Sequence, residues 1–262
     1  MSEHLRLETS GPVARLIYDR PSVKNAFRYD MWAAVPALLQ QAAADPAVRV
    51  ILLCSAQQGI FSAGADLVEF ERFTADLEAR GANHQAIGEA ARAVAACPKP
   101  VLAAIDGACM GGGFILAGAA DFRLASDRSR FGFPPAKLGL LYHTQALIHL
   151  IGLIGPGQAK RLLFTAAVLD AHEARAIGLV EQVVAADGFQ AATDAAVATI
   201  AALSASAIAA MKDQVAGVMQ GELSETPHRA AQFLAAHDSP DHAEGLAAFR
   251  EKRAPKFGTA RG

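Results

Sequence analysis

The stretch KPVLAAIDGACMGGGFILAGAADFRLASDRSRFGFPPAKLGLLY, residues 99–142, determines the fold and the candidate site of this chain. It contains an apolar run, Val101–Ile105, with the length of a buried strand. Three glycines at 111–113 precede an alanine-rich run that predicts a buried helix over residues 114–120. A helix that begins at glycines leaves free backbone N–H groups with no side chain in front of them. This pattern suits a phosphate or an oxyanion that develops on a carbonyl group; glycines that only permit close helix packing are the alternative.

Length and composition narrow the class of protein. The chain has 262 residues, of which 52% are hydrophobic and 19% charged, so a substantial core is available and disorder is not expected. A formal net charge of −2 provides no electrostatic footprint for nucleic acid. No apolar run reaches the roughly 18 residues of a membrane span, and no signal-peptide core is visible near the N-terminus. We therefore expect a cytoplasmic protein without a nucleic-acid or membrane partner.

Cysteine usage and motif content argue against a metal or dinucleotide site. The three cysteines, Cys54, Cys97 and Cys109, lack CxxC spacing and are interpreted as core residues in a reducing compartment. No His/Cys/Asp cluster has metal-ligand spacing, and neither GxSxG nor GxGxxG occurs. We expect no metal site.

The order of predicted elements indicates an α/β protein. Strand and helix patterns alternate through the first two thirds of the chain, and from about Gly188 onward the pattern is helical throughout. Residues 68–96 predict helices joined by a connection near Gly81. The predicted organisation is an α/β core over residues 1–195 and a helical segment over residues 196–262.

Several stretches together resemble the crotonase (enoyl-CoA hydratase/isomerase) superfamily. They are RPSVKNA at 20–26, FSAGADL at 61–67, residues 99–139, LDAHEA with GLV between 169 and 180, and EKRAPKF at 251–257. The resemblance covers nearly the whole chain. It implies a crotonase-like (ClpP/crotonase) spiral of ββα turns with a C-terminal helical trimerisation module. The implied assembly is a homotrimer or a hexamer built as a dimer of trimers.

The resemblance also implies a site for an acyl-CoA thioester. In the family, two backbone N–H groups form an oxyanion hole for the thioester carbonyl, and these fall on Ala65 and Gly112 here. No tightly bound cofactor is implied, since coenzyme A is part of the substrate. Contacts to CoA fall on a set drawn from three motifs: Lys24, Ala26, Ala63, Asp66, Leu67, Lys256 and Phe257. For the two lysines a solvated side chain is the alternative, and for Asp66 a helix N-cap.

One departure from the family pattern bears on the chemistry. Family hydratases carry two glutamates, but the corresponding positions here are Ile115 and Pro135. Addition of water to an enoyl double bond needs carboxylates to activate water and to deliver a proton. The resemblance therefore predicts an enzyme that stabilises a thioester enolate but argues against ordinary hydration.

Other side chains are candidates for the missing chemistry. His143 stands near a position at which diverged members place an aspartate, and its ordinary pKa suits a general base. Tyr142 is a candidate donor of a hydrogen bond or a proton; lining an apolar pocket is the alternative for both. Glu69, Glu71 and Glu89 are interpreted as solvated. Decarboxylation of a CoA thioester, its hydrolysis by way of His143, and acyl-CoA binding without catalysis remain alternatives.

Overall fold

The computed structural model describes residues 2–258 as an α/β structure with two sheets. The strands are β1 (Leu5–Ser10), β2 (Val13–Tyr18), β3 (Val50–Ser55), β4 (Ile60–Ser62), β5 (Val101–Ile105), β6 (Ala108–Met110), β7 (Phe122–Ser126), β8 (Arg130–Gly132), β9 (Val168–Asp170) and β10 (Gln182–Val184). The α-helices are α1 (Tyr29–Ala44), α2 (Leu67–Ala75), α3 (Leu77–Ala95), α4 (Gly112–Ala119), α5 (Thr144–Thr165), α6 (Ala171–Ala176), α7 (Phe189–Ala201), α8 (Ala205–Met219), α9 (Pro227–His237) and α10 (Pro240–Glu251).

The two sheets are built by a repeated β–β–α turn of the chain. The larger sheet has the order β1-β2-β3-β5-β7-β10, and the smaller has the order β4-β6-β8-β9. Strand β3 leads into β4, β5 into β6 and β7 into β8, so each turn adds one strand to each sheet before it enters its helix. Pairing is parallel except at β1–β2 and β8–β9. The predicted ββα repetition is therefore present.

The central strands are apolar along their whole length because both faces of the large sheet are covered. Alternate side chains point to opposite faces of a strand. Ile51 and Leu53 accordingly join the main core with α1 and α3, whereas Val50 and Leu52 join a second cluster that includes Val197 of α7. Full burial of such a side chain stabilises the fold by about 1.5–3 kcal/mol.

The helical layer differs from the prediction in one place. The connection between α2 and α3 lies at Asp76, not near Gly81, which is inside α3. Asp76 has an extended backbone, and its carboxylate accepts a hydrogen bond from the Ala79 N–H at 2.9 Å. The Asp76 N-cap starts α3, whereas Gly81 is accommodated inside that helix without ending it.

The C-terminal helices begin at Phe189, close to the predicted Gly188, but the first of them packs on the α/β core. A boundary between residues 195 and 196 falls inside α7, whose Val197 packs on the large sheet, so the α/β core extends to Ala201. Helices α8, α9 and α10 follow. Within residues 2–258 no single helix is long and apolar enough to cross a membrane; residues 186–201 and 205–219 meet that test only jointly, as a pair bent by 97°.

A buried arginine holds the C-terminal end of α4. Arg123 is 1% exposed, and its guanidinium donates to the carbonyl groups of Ala117 at 3.2 Å and Ala120 at 3.0 Å. The same guanidinium forms an ion pair with Glu181, which precedes β10. A cation at a helix C-terminus satisfies carbonyls that have no partner within the helix. Arg123 thus fixes the helix that begins at Gly112.

Candidate functional site

Two loop segments lie side by side at the carboxyl end of β3 and β4. The Phe27 N–H donates to the Gly64 carbonyl at 2.7 Å, and the Asp66 N–H donates to the Phe27 carbonyl at 2.9 Å. The Ala63 N–H donates to the Lys24 carbonyl at 2.9 Å. This short ladder holds residues 24–27 against residues 63–66, so two of the sequence motifs meet in space.

The N–H groups of Ala65 and Gly112 are neighbours. Ala65 pairs with Phe27 as an isolated parallel bridge whose hydrogen bonds join Phe27 to Gly64 and Asp66, so the Ala65 N–H points away from Phe27. Gly112 is the first residue of α4, where N–H groups have no partner within the helix. A Cβ at Gly112 would lie 2.9 Å from the Ala65 nitrogen and 3.4 Å from Cζ2 of Trp32. Neither N–H has a hydrogen-bond acceptor among residues 2–258.

An ion pair fixes the loop that carries Ala65. Asp66 accepts hydrogen bonds from the Val68 N–H at 2.9 Å and from the Arg20 guanidinium at 2.6 Å. Burial acts to raise the pKa of the Asp66 carboxyl, but the hydrogen bond and charge of Arg20 and the bonds from the helix N–H groups outweigh it, so the pKa is lowered. Asp66 is therefore an ionised N-cap of α2, the alternative that the sequence left open.

Ile115 and Pro135 stand at the two positions where the resemblance leads us to expect glutamates. Ile115 lies one turn beyond Gly112 in α4 and is 5% exposed. Pro135 begins the 3-10 turn Pro135–Leu138. Neither side chain can exchange a proton.

Tyr142 is bound to the loop that leads into α4. Its hydroxyl donates to the Gly111 carbonyl at 2.9 Å, and its ring packs edge-on against Phe133 with a centroid distance of 5.7 Å. Burial raises the pKa of the Tyr142 hydroxyl well above its usual value. The hydroxyl is thus a protonated donor that is already engaged.

His143 caps α5, and both of its ring nitrogens are engaged. Nδ1 accepts a hydrogen bond from the Gln145 N–H at 3.2 Å, and Nε2 lies 3.1 Å from the His84 carbonyl oxygen. The neutral ring with its proton on Nε2 satisfies both contacts. Burial lowers the pKa of His143, and His84 and Arg92 add to this effect. These bonds leave no free lone pair on the ring, which counts against the predicted role as a general base.

Glu69 is a site neighbour that was wrongly interpreted as solvated. Its carboxylate accepts a hydrogen bond from the Tyr29 N–H at 2.7 Å and lies 3.7 Å from the Arg28 guanidinium. Its side chain is 16% exposed. The carboxylate caps α1 from α2, a contact between helices that no local sequence pattern would have revealed.

The predicted CoA residues fall into two groups. Residues 24, 26, 63, 66 and 67 surround the Ala65 loop; Lys24, Ala63 and Leu67 are exposed there. In contrast, the segment with Lys256 and Phe257 lies near Arg49, since a Cβ at Gly258 would be 2.7 Å from that guanidinium. Arg49 precedes β3, whereas the Ala65 loop lies beyond the other end of that strand. Within one chain the two groups are therefore not brought together.

Among residues 2–258 no group of three or more His, Cys, Asp or Glu side chains has the arrangement of a metal site. A cleft of about 290 Å³ lies between the start of α1 and the α2–α3 connection, lined by Tyr29, Phe73, Asp76, Glu78, Ala79 and Ala82.

Comparison with known proteins adds four likenesses over nearly the whole chain. The family model described as enoyl-CoA hydratase/isomerase matches residues 8–260. A crotonyl-CoA hydratase of Syntrophomonas wolfei is 33% identical over 257 residues, which cover 97% of this chain and 98% of the relative. The mouse mitochondrial enoyl-CoA hydratase domain-containing protein 2 is 35% identical over 94% of this chain and 84% of its own length. The solved structure of an enoyl-CoA hydratase/carnitine racemase from Magnetospirillum magneticum has a TM-score of 0.94 at 32% identity, covering 99% of this chain and 97% of that chain.

Proposed function

Because the chain belongs to the enoyl-CoA hydratase/isomerase family, we propose that it binds an acyl-CoA thioester and stabilises its enolate between the N–H groups of Ala65 and Gly112. One observation carries the proposal: these two backbone donors are adjacent and have no acceptor among residues 2–258. Donors that are fixed where negative charge develops contribute a factor of roughly 10²–10³ in kcat each. The enolate of a thioester carries that charge on its carbonyl oxygen.

The side chains near the donor pair favour a reaction that requires no carboxylate. Hydration and double-bond migration need a group that moves protons, but Ile115 and Pro135 occupy the family's glutamate positions. Decarboxylation of a malonyl-type thioester needs no such proton-moving group. The bond between Cα and the carboxylate carbon breaks, CO₂ leaves, and the electron pair of that bond forms the enolate. Cα then takes a proton from water, so the donor pair suffices.

The proposal is tested by offering two substrates to the purified chain. Loss of the enoyl absorbance of crotonyl-CoA reports hydration, and release of CO₂ from malonyl-CoA or methylmalonyl-CoA reports decarboxylation. We expect CO₂ release without hydration. Rapid hydration would mean that groups elsewhere replace both glutamates and would contradict the preference for decarboxylation.

A second candidate function is acyl-CoA binding without turnover. The observation in its favour is that Tyr142 and His143 are both engaged in hydrogen bonds within the fold. A binder would be stabilised against thermal unfolding by CoA thioesters, since a ligand that binds only the folded state raises its stability. It would give neither CO₂ nor free thiol with any thioester tested. Release of free thiol that declines as pH falls below 6 would favour the third reading, hydrolysis by way of His143.

The placement of the C-terminal segment supports the predicted oligomer. Lys256 and Phe257 lie at the far end of β3 from the Ala65 loop, so a CoA contact by these residues requires a neighbouring subunit. Apolar side chains on the last helices are also exposed in the single chain, among them Val215, Phe233 and Phe249. We propose a homotrimer, alone or paired as a hexamer, in which these helices are covered.

A further inference from the structure

We propose that Tyr142 is a positioning residue whose hydroxyl orients and polarises the peptide group that carries the Gly112 N–H. The inference rests on the proposed function, because it concerns one donor of the proposed oxyanion hole. The carbonyl of Gly111 and the N–H of Gly112 belong to a single planar, trans peptide unit. A hydrogen bond to that carbonyl therefore sets the direction of that N–H.

The geometry at Gly111 makes such a contact necessary. Gly111 has φ of 43° and ψ of −106°, a combination that glycine tolerates but that no regular element maintains. Its carbonyl accepts two hydrogen bonds, one from the Tyr142 hydroxyl at 2.9 Å and one from the Phe114 N–H at 3.1 Å. The second is an ordinary bond of the first turn of α4. The first is the only side-chain bond to this carbonyl in the described part of the chain.

The hydroxyl of Tyr142 is suited to this task. Its ring is held edge-on against Phe133, with 87° between the planes, so the oxygen has a fixed position. Burial raises the pKa of the hydroxyl, which keeps the proton in place. When a carbonyl accepts a hydrogen bond, the N–H of the same peptide becomes a stronger donor, by about 10–30% per bond. The hydrogen bond from the Gly112 N–H to an oxyanion would be strengthened in this way.

The second proposed donor is held in the same manner, but by backbone. The carbonyl of Gly64 shares its peptide with the Ala65 N–H and accepts a hydrogen bond from the Phe27 N–H at 2.7 Å. Both donor peptides are thus fixed at their carbonyl ends. Only the Gly112 peptide depends on a side chain, so only it can be tested by a conservative substitution.

The test measures polarisation of a bound thioester rather than turnover. The probe is acetyl-CoA labelled with ¹³C at its carbonyl carbon, since the smallest acyl group fits a pocket of any shape. Isotope-edited infrared difference spectra give the carbonyl stretch, which moves to lower wavenumber when the oxygen accepts strong hydrogen bonds. We expect a clear shift in the native protein. In Tyr142→Phe we expect roughly a tenth of that shift to be lost, because the Gly112 N–H loses the gain from this bond while the Gly111 carbonyl keeps its bond from the Phe114 N–H.

A matched control is available in Tyr18. This tyrosine is also buried, and its hydroxyl has no hydrogen-bond partner among residues 2–258. Tyr18→Phe should retain the full shift. Affinity for acetyl-CoA, measured by titration calorimetry, should change less than about threefold in either variant, and urea unfolding confirms that each is folded.

The outcomes separate this inference from the proposed function. If native protein binds acetyl-CoA without a shift, or does not bind it, the proposed oxyanion hole is wrong. If the native protein shows the shift and Tyr142→Phe retains all of it, the hole stands and the positioning role is overturned. A Tyr142→Phe variant that retains the shift but loses all turnover would instead identify Tyr142 as a proton donor.

Discussion

At Gly112 two requirements coincide, a free N–H and the absence of a side chain. A Cβ there would lie 2.9 Å from the Ala65 nitrogen, closer than neighbouring atoms tolerate. Two variants separate the requirements. Gly112→Ala adds the Cβ and keeps the N–H, whereas Gly112→Pro adds the Cβ with two further ring carbons and replaces the N–H at a helix position that tolerates proline.

We expect Gly112→Pro to lower kcat by roughly 10²–10³ beyond the effect of Gly112→Ala, the range found when one oxyanion donor is removed. Initial rates of CO₂ release from the accepted thioester give the comparison. Equal activity of the two variants would show that space, not the donor, is what Gly112 provides.

His143 is expected to make the stability of the fold depend on pH. Burial lowers the pKa of the folded-state ring, with His84 and Arg92 contributing. Below about pH 6.5 the unfolded chain therefore binds a proton that the folded chain resists, and the free energy of unfolding falls as pH falls. Above that pH both states are neutral and the contribution is complete.

The variant His143→Asn isolates this effect. Asparagine is a good N-cap and cannot titrate, so the helix start should survive. Urea unfolding between pH 8 and pH 5 should show a smaller acid loss in the variant than in the native chain. The comparison is needed because burial also lowers the pKa of His149. Identical pH profiles would contradict the assignment, and loss of turnover at pH 8 with intact folding would restore His143 as a candidate base.

The backbone segments of the proposed site could be located from sequence motifs, whereas contacts between distant elements could not. The loop residues 63–66 and the glycines 111–113 stand out because their types and spacing are unusual. The engagement of His143 by the His84 carbonyl depends on how α3 and α5 pack. The capping of α1 by Glu69 depends likewise on two helices.

At the scale of elements, α4 connects the proposed donor to a buried charge. Its first residue is Gly112, and the carbonyls at its end are bound by Arg123, which is paired with Glu181. Arg123→Met would leave those carbonyls without a partner and Glu181 without its cation. We expect a loss of about 2–4 kcal/mol in the free energy of unfolding, measured in urea.

Arg15 provides the control for that substitution. It pairs with Asp194 at 3.3 Å, and both side chains are partly exposed. Arg15→Met should cost no more than about 1 kcal/mol, as is usual for a surface ion pair. A similar small cost for Arg123→Met would mean that the end of α4 is held by packing alone.

The buried strand Val101–Ile105 was predicted with its observed bounds because it carries a full apolar run. Three of the short strands were missed for a physical reason. The strands β4, β6 and β9 have three residues each, too few for an alternation to show. They are held by their neighbours in the small sheet, so no local signal marks them.

At the scale of the whole molecule, the predicted crotonase-like fold is confirmed by the near-complete structural match and by the ββα repetition. In a single chain, apolar side chains on the last helices are exposed to solvent. Phe249 on α10 is 84% exposed, and Val215 on α8 is 64% exposed. Large exposed apolar patches mark interaction sites, and the proposed trimer would cover these side chains.

We therefore expect light scattering after gel filtration to give three or six times the mass of one chain. Substituting glutamate at Val215 and Phe249 together should shift the native assembly towards smaller species. A native chain that runs as a monomer at micromolar concentration would contradict the proposed trimer, and with it any contribution of Lys256 to a neighbouring site.

The contact between Trp32 and the space around Gly112 has an optical consequence. Trp32 is the chain's one tryptophan, and it is 1% exposed. The ultraviolet fluorescence of the protein therefore comes from an indole that lies beside the proposed hole. Its emission wavelength and intensity respond to the polarity and packing of that spot alone. An unlabelled sample thus carries its own reporter, and the arrival of a thioester could be followed in a stopped-flow cuvette at the point where its carbonyl would bind.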